Sequence, residues 1–368
     1  MTRLVLHVGQ PKTGTTALQS VLAANAEPLL AQASILYPTR TTPSEHKHAF
    51  AIPWLLGVDN EAIRRRARLS GDDLKRFSLV YWHSLLAELE QARPDVLVLS
   101  GEGFWILHQA PKENRLFLRK ELYSIADHVT IAGYLKSPAS YFLSMLNQKL
   151  RNYRPVQMPR PHFSRATMQA WESVGFDACS WRVFSGSSLR NGDIVDDFCS
   201  GYLPASLQAV ALQRQGVERA NASVSSEALV ILEELANRHP VLVRDVYDPR
   251  RTQIVEMLRR ADADLGGHCR PSLLEAAAAA LTQRCDDLHW LQERGLYFAD
   301  VDEALIRQAG TAALASYSQV ADYCPIDRQR LEAMRALVMG RIDRLFGVDP
   351  PAKRFARRLW SFSKRFVR

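Results

Sequence analysis

The chain opens Leu4-Val5-Leu6-His7-Val8-Gly9-Gln10-Pro11-Lys12-Thr13-Gly14-Thr15-Thr16. The apolar run reads as a strand, and Gly9, Pro11 and Gly14 mark a turn after it. Ala17, Leu18, Val21 and Leu22 then fall on one face of a helix. Strand, glycine-bearing loop and helix is the layout that wraps backbone N–H groups around a phosphate at the positive end of a helix. Gly9 and Gly14 keep the spacing of the G-x-x-x-x-G-K-[ST] loop of nucleoside triphosphatases, but Thr15 stands where that loop has its lysine. The lysine has moved inside the loop, to Lys12. There it still neutralises an oxygen anion, while the metal-bound triphosphate geometry is no longer specified. The stretch predicts a phosphate-bearing nucleotide other than ATP or GTP handled in the ordinary way.

Three further segments extend the pattern. Val129 to Leu135 reads as a buried strand that runs into Lys136-Ser137-Pro138-Ala139-Ser140-Tyr141-Phe142-Leu143-Ser144. Ser137 suits a helix N-cap and Pro138 the first helical position, which puts Ser144 in the opening turns. Asp95 to Leu99 predicts another strand, ending in Ser100-Gly101-Glu102. Arg219-Ala220-Asn221-Ala222-Ser223 precedes a helix from Ser225.

Together these segments resemble the bacterial-type sulfotransferases that use 3′-phosphoadenosine 5′-phosphosulfate (PAPS). Pro11-Lys12-Thr13-Gly14-Thr15-Thr16 resembles their 5′-phosphosulfate loop. Lys136, Pro138 and Ser144 resemble the Arg-x-Pro and later serine that hold the 3′-phosphate, with lysine in place of arginine. Lysine keeps the charge and loses the bidentate fork. Ser100-Gly101-Glu102 resembles the Ser-x-Glu element, and Arg219 with Asn221 the late element that closes over the nucleotide. The likeness spans residues 1–240. It implies a P-loop-like sulfotransferase fold, a central parallel sheet flanked by helices, with PAPS as co-substrate and no metal.

Sulfuryl transfer needs charge neutralisation at the leaving phosphate oxygen, positioning, and a base for the acceptor proton. Lys12, with the loop amides and Thr15 and Thr16, is the expected electrostatic stabiliser. Two bases stay open, because related enzymes use either a glutamate or a histidine. Glu102 follows a predicted strand directly, and His48 lies in the polar run Pro43-Ser44-Glu45-His46-Lys47-His48. His7, inside the first strand, is expected to be a buried, hydrogen-bonded core residue. Trp54, Trp82, Trp105, Trp171 and Trp181 are expected in the core, with Trp105 close enough to Glu102 to line an acceptor pocket.

The rest of the sequence bounds this reading. With 368 residues, 47% hydrophobic and 23% charged, the composition is that of an ordinary globular protein. Five scattered cysteines without a C-x-x-C pair predict reduced thiols rather than a zinc site or disulfide framework. With the first strand starting beside Met1 and no long apolar run, the expectation is a cytoplasmic enzyme. Strands at Ser34 to Tyr37 and Trp181 to Phe184 alternate with helices over Leu79 to Ala92 and Arg115 to Ala126, the α/β pattern. From Ser225 the pattern is helical: Glu227 to Arg238, Thr252 to Ala263, Pro271 to Arg284 and Arg328 to Leu345. The expected organisation is a nucleotide-binding core over 1–240, a helical C-terminal region over 241–348 packed on it, and a basic tail over 352–368.

That tail holds Lys353, Arg354, Arg357, Arg358, Lys364, Arg365 and Arg368 and no acidic residue. Taken from a net charge of +8, these seven cations leave the body at +1, so a general nucleic-acid surface is not indicated. Phe355, Leu359, Phe362 and Phe366 share one helical face of the tail, a pattern suited to the surface of an anionic membrane or to docking on the body. The partners implied are a glycan or glycolipid acceptor and peripheral membrane contact at the inner face. Two other functions fit parts of the pattern: a P-loop kinase of a small molecule, and a non-catalytic membrane-associated scaffold.

Overall fold

The computed structural model describes residues 1–39, 48–58, 63–64, 67–154, 164–214, 223–244, 248–266, 270–308 and 318–347. The chain divides into two compact units. The first comprises Met1–Pro138, Arg160–Asn221 and Thr282–Ala312; the second comprises Ala139–Pro159, Ala222–Leu281 and Ala313–Arg368.

The first unit is built on five strands: β1 Arg3–His7, β2 Ile35–Leu36, β3 Val96–Ser100, β4 His128–Leu135 and β5 Ala178–Val183. Every pairing is parallel, in the order β2-β3-β1-β4-β5. All five apolar runs read as strands are strands. Its helices are α1 Thr15–Ala24, α2 Ala26–Ala33, α3 Ile52–Leu56, α4 Gly71–Ala92, α5 Lys112–Tyr123, α6 Pro138–Arg151 (which continues into the second unit), α7 Arg165–Val174 and α8 Ile194–Tyr202. Alternate strand residues feed two cores, as a sheet covered on both faces requires. Leu4 and Leu6 join Leu97, Leu99, Val129 and Ile131 against α3, α4, α5 and α7. Val5 joins Val98, Ala132 and Tyr134 against α1, α2 and α8. Helix α4 begins eight residues before the expected Leu79. Its first turn, Gly71-Asp72-Asp73, has no apolar period, but its two carboxylates suit the positive helix end.

The strand order fixes where a ligand would sit. From β1 the chain crosses to β2, on the β3 side of the sheet; from β4 it goes the other way, to β5. The outgoing loops of adjacent strands β1 and β4 therefore part, leaving a crevice at their carboxyl ends, the usual ligand position in open α/β sheets.

The second unit is helical. Ser226–Arg238 (α9), Pro240–Arg244 (α10), Pro249–Asp264 (α11), Glu275–Gln283 (α12, ending in the first unit), Val320–Tyr323 (α15) and Arg328–Leu345 (α16) lie along it, with Leu288–Glu293 (α13) and Glu303–Arg307 (α14) in the first unit. Phe142, Leu146, Leu150 and Tyr153 of α6 and the turn after it share one core with α9, α11 and α16. Arg330 locks that core: its guanidinium donates to Asp262 Oδ1 at 3.0 Å and to the Leu265 carbonyl, and pairs with Glu227 at 3.7 Å.

The expected sequential division at residue 240 is thus not the one found. Residues from Ala139 leave the sheet for the helical core, and Thr282–Ala312 returns to the first unit, where Cys285, Leu288, Leu291 and Phe298 pack on Trp105, Leu135 and Met168. An apolar run declares that it will be buried but not which core will take it. The basic tail, 352–368, lies outside the described residues. Among the described residues, no helix is long and apolar enough to cross a membrane.

Candidate anion-binding site at the ends of β1 and β4

The loop from Gly9 to Gly14 closes on itself. The Thr13 N–H and hydroxyl both reach the Gln10 carbonyl, at 3.2 and 2.7 Å, so the Thr13 side chain shapes the turn. Lys12 and Gly14 both lie in the left-handed region, each at φ 75°. Glycine adopts it freely; for lysine it is strained, a conformation kept where the surroundings impose it. Left-handed residues in a tight loop help turn backbone N–H groups toward a common concavity. Gly14 is the N-cap of α1, with no side-chain cap and no acidic residue in the first turn, a helix end that suits an anion. The Thr15 hydroxyl is buried there without a hydrogen-bond partner among the described residues.

Both glycines are spatially required. A Cβ on Gly9 would stand 2.4 Å from Thr15 Oγ1 and 3.1 Å from His7 Nε2. One on Gly14 would stand 2.9 Å from the Phe184 ring.

Lys136 is brought to the same place by the end of β4. Its N–H donates to Gln10 Oε1 at 2.8 Å, which ties the β4 exit to the loop, and its Nζ lies 5.0 Å from the centre of the Phe184 ring. Burial, and next the ammonium of Lys12, push its pKa down to about 8. Two lysines from separate strand ends therefore approach closely enough to oppose each other's charge. An anion between them would offset that repulsion.

Glu102 opens the short 3-10 helix Glu102–Gln109 directly after β3. It is half-buried, and its carboxylate makes no hydrogen bond or ion pair among the described residues. Trp105, three residues on, is buried and meets Trp181 edge-on at 6.2 Å.

His48 is not placed as a base. Its Nδ1 accepts the Ser100 N–H at 2.8 Å, which puts the ring proton on Nε2, and Nε2 donates to the Pro38 carbonyl at 3.0 Å. Both nitrogens of this buried ring are spent bracing the ends of β2 and β3. His7 is the buried, hydrogen-bonded residue expected, sharing a 2.8 Å bond with the Ser100 hydroxyl through Nδ1.

The remaining expected residues are dispersed. Pro11 and Thr16 are half-buried in the loop and the first turn of α1. The Ser137 hydroxyl donates to Asp300 at 2.5 Å, a use its place before Pro138 did not suggest. Ser144 belongs to the second unit, where its hydroxyl donates to the Ser140 carbonyl at 2.9 Å. Arg219, Asn221 and His46 lie outside the described residues. Sequence reading missed Gln10, Gln19 and Phe184 as parts of the site, and placed Ser100 only through the Ser-x-Glu resemblance. The glutamines carried a signal, since an uncharged amide inside a buried strand–loop–helix must find partners. Phe184 carried none, because only the fold brings it beside Gly14.

No family model matches the chain, and no curated protein is similar to it. One solved structure, from a study of the PezAT chromosomal toxin–antitoxin system of Streptococcus pneumoniae, aligns over 67% of this chain and 87% of its own, at 15% identity and a TM-score of 0.28. So slight a likeness bears on neither fold nor chemistry.

Proposed function

We propose that the chain is a PAPS-dependent sulfotransferase acting on an acceptor hydroxyl, on a carbohydrate or glycolipid. The observation that carries this reading is the tie between Lys136 and the Lys12-bearing loop, whose Gln10 Oε1 accepts the Lys136 N–H at 2.8 Å, at the crevice between β1 and β4 and beside the N-terminus of α1. A lysine within the loop, rather than at its end, serves an oxygen anion without prescribing a metal-bound triphosphate.

In this reading the loop amides, Thr15, Thr16 and Lys12 hold the phosphosulfate end, Lys136 takes the 3′-phosphate, and Arg219 and Asn221 belong to the element that closes over the nucleotide. PAPS supplies the activated sulfuryl group. Lys12 neutralises the phosphate oxygen as its bond to sulfur breaks, and Glu102 takes the proton of the acceptor hydroxyl as the new oxygen–sulfur bond forms. The basic amphipathic tail would bring a lipid-linked acceptor within reach, and its removal should shift the protein from membrane to soluble fractions.

Calorimetry with the full chain tests the reading. Adenosine 3′,5′-bisphosphate should bind without added magnesium and in preference to ATP, and labelled PAPS should transfer its label in an acceptor screen. Magnesium-dependent binding of ATP in preference to the bisphosphate would make the chain a P-loop kinase instead.

A further inference from the structure

The buried polar groups beneath the loop form a connected set that the chemistry above does not use. His7 is the last residue of β1 and fully buried. Through Nδ1 it shares the 2.8 Å bond with Ser100 Oγ, while its carbonyl accepts the Gly101 N–H at 3.1 Å. Gln19, one turn beyond Thr15 on α1, donates from Nε2 to both the carbonyl and the hydroxyl of Ser100, each at 3.1 Å. The Ser100 N–H is held by His48. Every polar atom of Ser100 is therefore committed, and the next residue but one is Glu102.

The His7 ring is fixed on its other sides as well. Tyr134 and Phe198 meet it edge-on at 5.9 and 5.7 Å. Its Nε2 faces the Gly9 side of the loop, where a Cβ would come within 3.1 Å. Burial drives its pKa down to about 3, so the ring stays neutral and takes no part as an acid or base. An apolar side chain would fill this position without burying two ring nitrogens. What imidazole adds is a hydrogen bond from the end of β1, where the anion loop begins, to the Ser100 hydroxyl at the end of β3, while its Nε2 has no hydrogen-bond partner among the described residues.

We propose that His7 is a positioning residue which, through Ser100, sets Glu102 against the anion-binding loop. Gln19 is the second arm of the same link. The inference rests on Glu102 serving as the base of the proposed transfer.

A double-mutant cycle tests it, with affinity for adenosine 3′,5′-bisphosphate and release of sulfate from PAPS, with water as acceptor, as the two readouts. His7→Leu and Glu102→Gln are made singly and together, with His7→Asn as the conservative variant that keeps a hydrogen-bonding atom near Nδ1. His7→Leu should lower turnover at least tenfold with the bisphosphate affinity within a factor of two. His7→Asn should restore much of that loss, and in the Glu102→Gln background His7→Leu should cost little more. Additive losses, or equal loss of affinity and turnover, would overturn the positioning role while leaving the sulfotransferase reading intact. A wild-type chain that binds no bisphosphate would end both.

Discussion

The helical core of the second unit and the strand ends of β1 and β4 in the first bury polarity in opposite ways. In the second unit, Arg330 sits among Asp262, Glu227 and the Leu265 carbonyl, and the Asp262 side chain, 1% exposed, also accepts the Ser225 N–H at 3.0 Å. Opposite charges there meet and close the network. At the strand ends of the first unit the buried groups His7, Gln19, Ser100 and Thr15 are uncharged, and the cations gathered there, Lys12 and Lys136, repel each other. A closed network holds a scaffold together; like charges around an uncapped helix end gain from a ligand. The proposed reading turns on that contrast, stability at one place and binding at the other.

The contrast breaks first at Arg330. Arg330→Ala leaves two nearly buried carboxylates uncompensated, a loss of about 3–5 kcal/mol. Hydrogen exchange should then show α9, α11 and α16 losing protection while β1 and β4 keep theirs. Unchanged protection in those helices would mean that the network contributes nothing. Lys12→Gly should behave in the opposite sense. Glycine relieves the left-handed strain at φ 75°, raising stability by about 0.5–1 kcal/mol. The loss of the ammonium should lower turnover by about 10²–10³. A variant that gained stability and kept its rate would remove Lys12 from the chemistry.

A smaller effect is expected inside the sheet. Gly133 of β4 pairs with Trp181 of β5, and a Cβ on it would stand 2.3 Å from the indole. Gly133→Ala should cost about 1–3 kcal/mol through displacement of a packed ring. Thermal unfolding measures it, and a neutral result would show that Trp181 moves freely.

How much of this could be read beforehand depends on what kind of interaction each residue makes. β1, β3 and β4 are continuous apolar runs and declare themselves, and Gly9-x-x-x-x-Gly14 declares its loop. Helix α16 was legible to the residue, Arg328–Leu345, because its apolar period is uninterrupted. The division of the chain was not, since Leu146 and Leu291 look alike in sequence but enter different cores. His48 misled for a related reason. A histidine in a polar run suggests a solvent-facing base, and only the paired strands reveal the Ser100 N–H and Pro38 carbonyl that consume its ring. A local pattern can show that a polar side chain needs a partner, as at Gln19, but not which distant group supplies it.

The finest test of the contrast is proton linkage at Lys136. With burial and Lys12 holding its pKa near 8, against an ordinary value of 10.5, the folded chain binds fewer protons at this site than the unfolded chain between those limits. Its contribution to folding stability therefore rises with pH across that window. A bound anion favours the ammonium and raises the pKa again, so affinity should change in the opposite direction. It should be nearly constant below pH 7 and weaken by up to about tenfold per unit above pH 8. Calorimetry of adenosine 3′,5′-bisphosphate in buffers of different ionisation enthalpy should show proton uptake at pH 8.5, well above the titration of the ligand's own phosphates. Lys136→Arg, whose guanidinium stays charged throughout, should abolish the uptake while keeping the binding. Heat independent of buffer at pH 8.5 would mean that the anion never reaches Lys136, and the crevice between β1 and β4 would lose half of its charge.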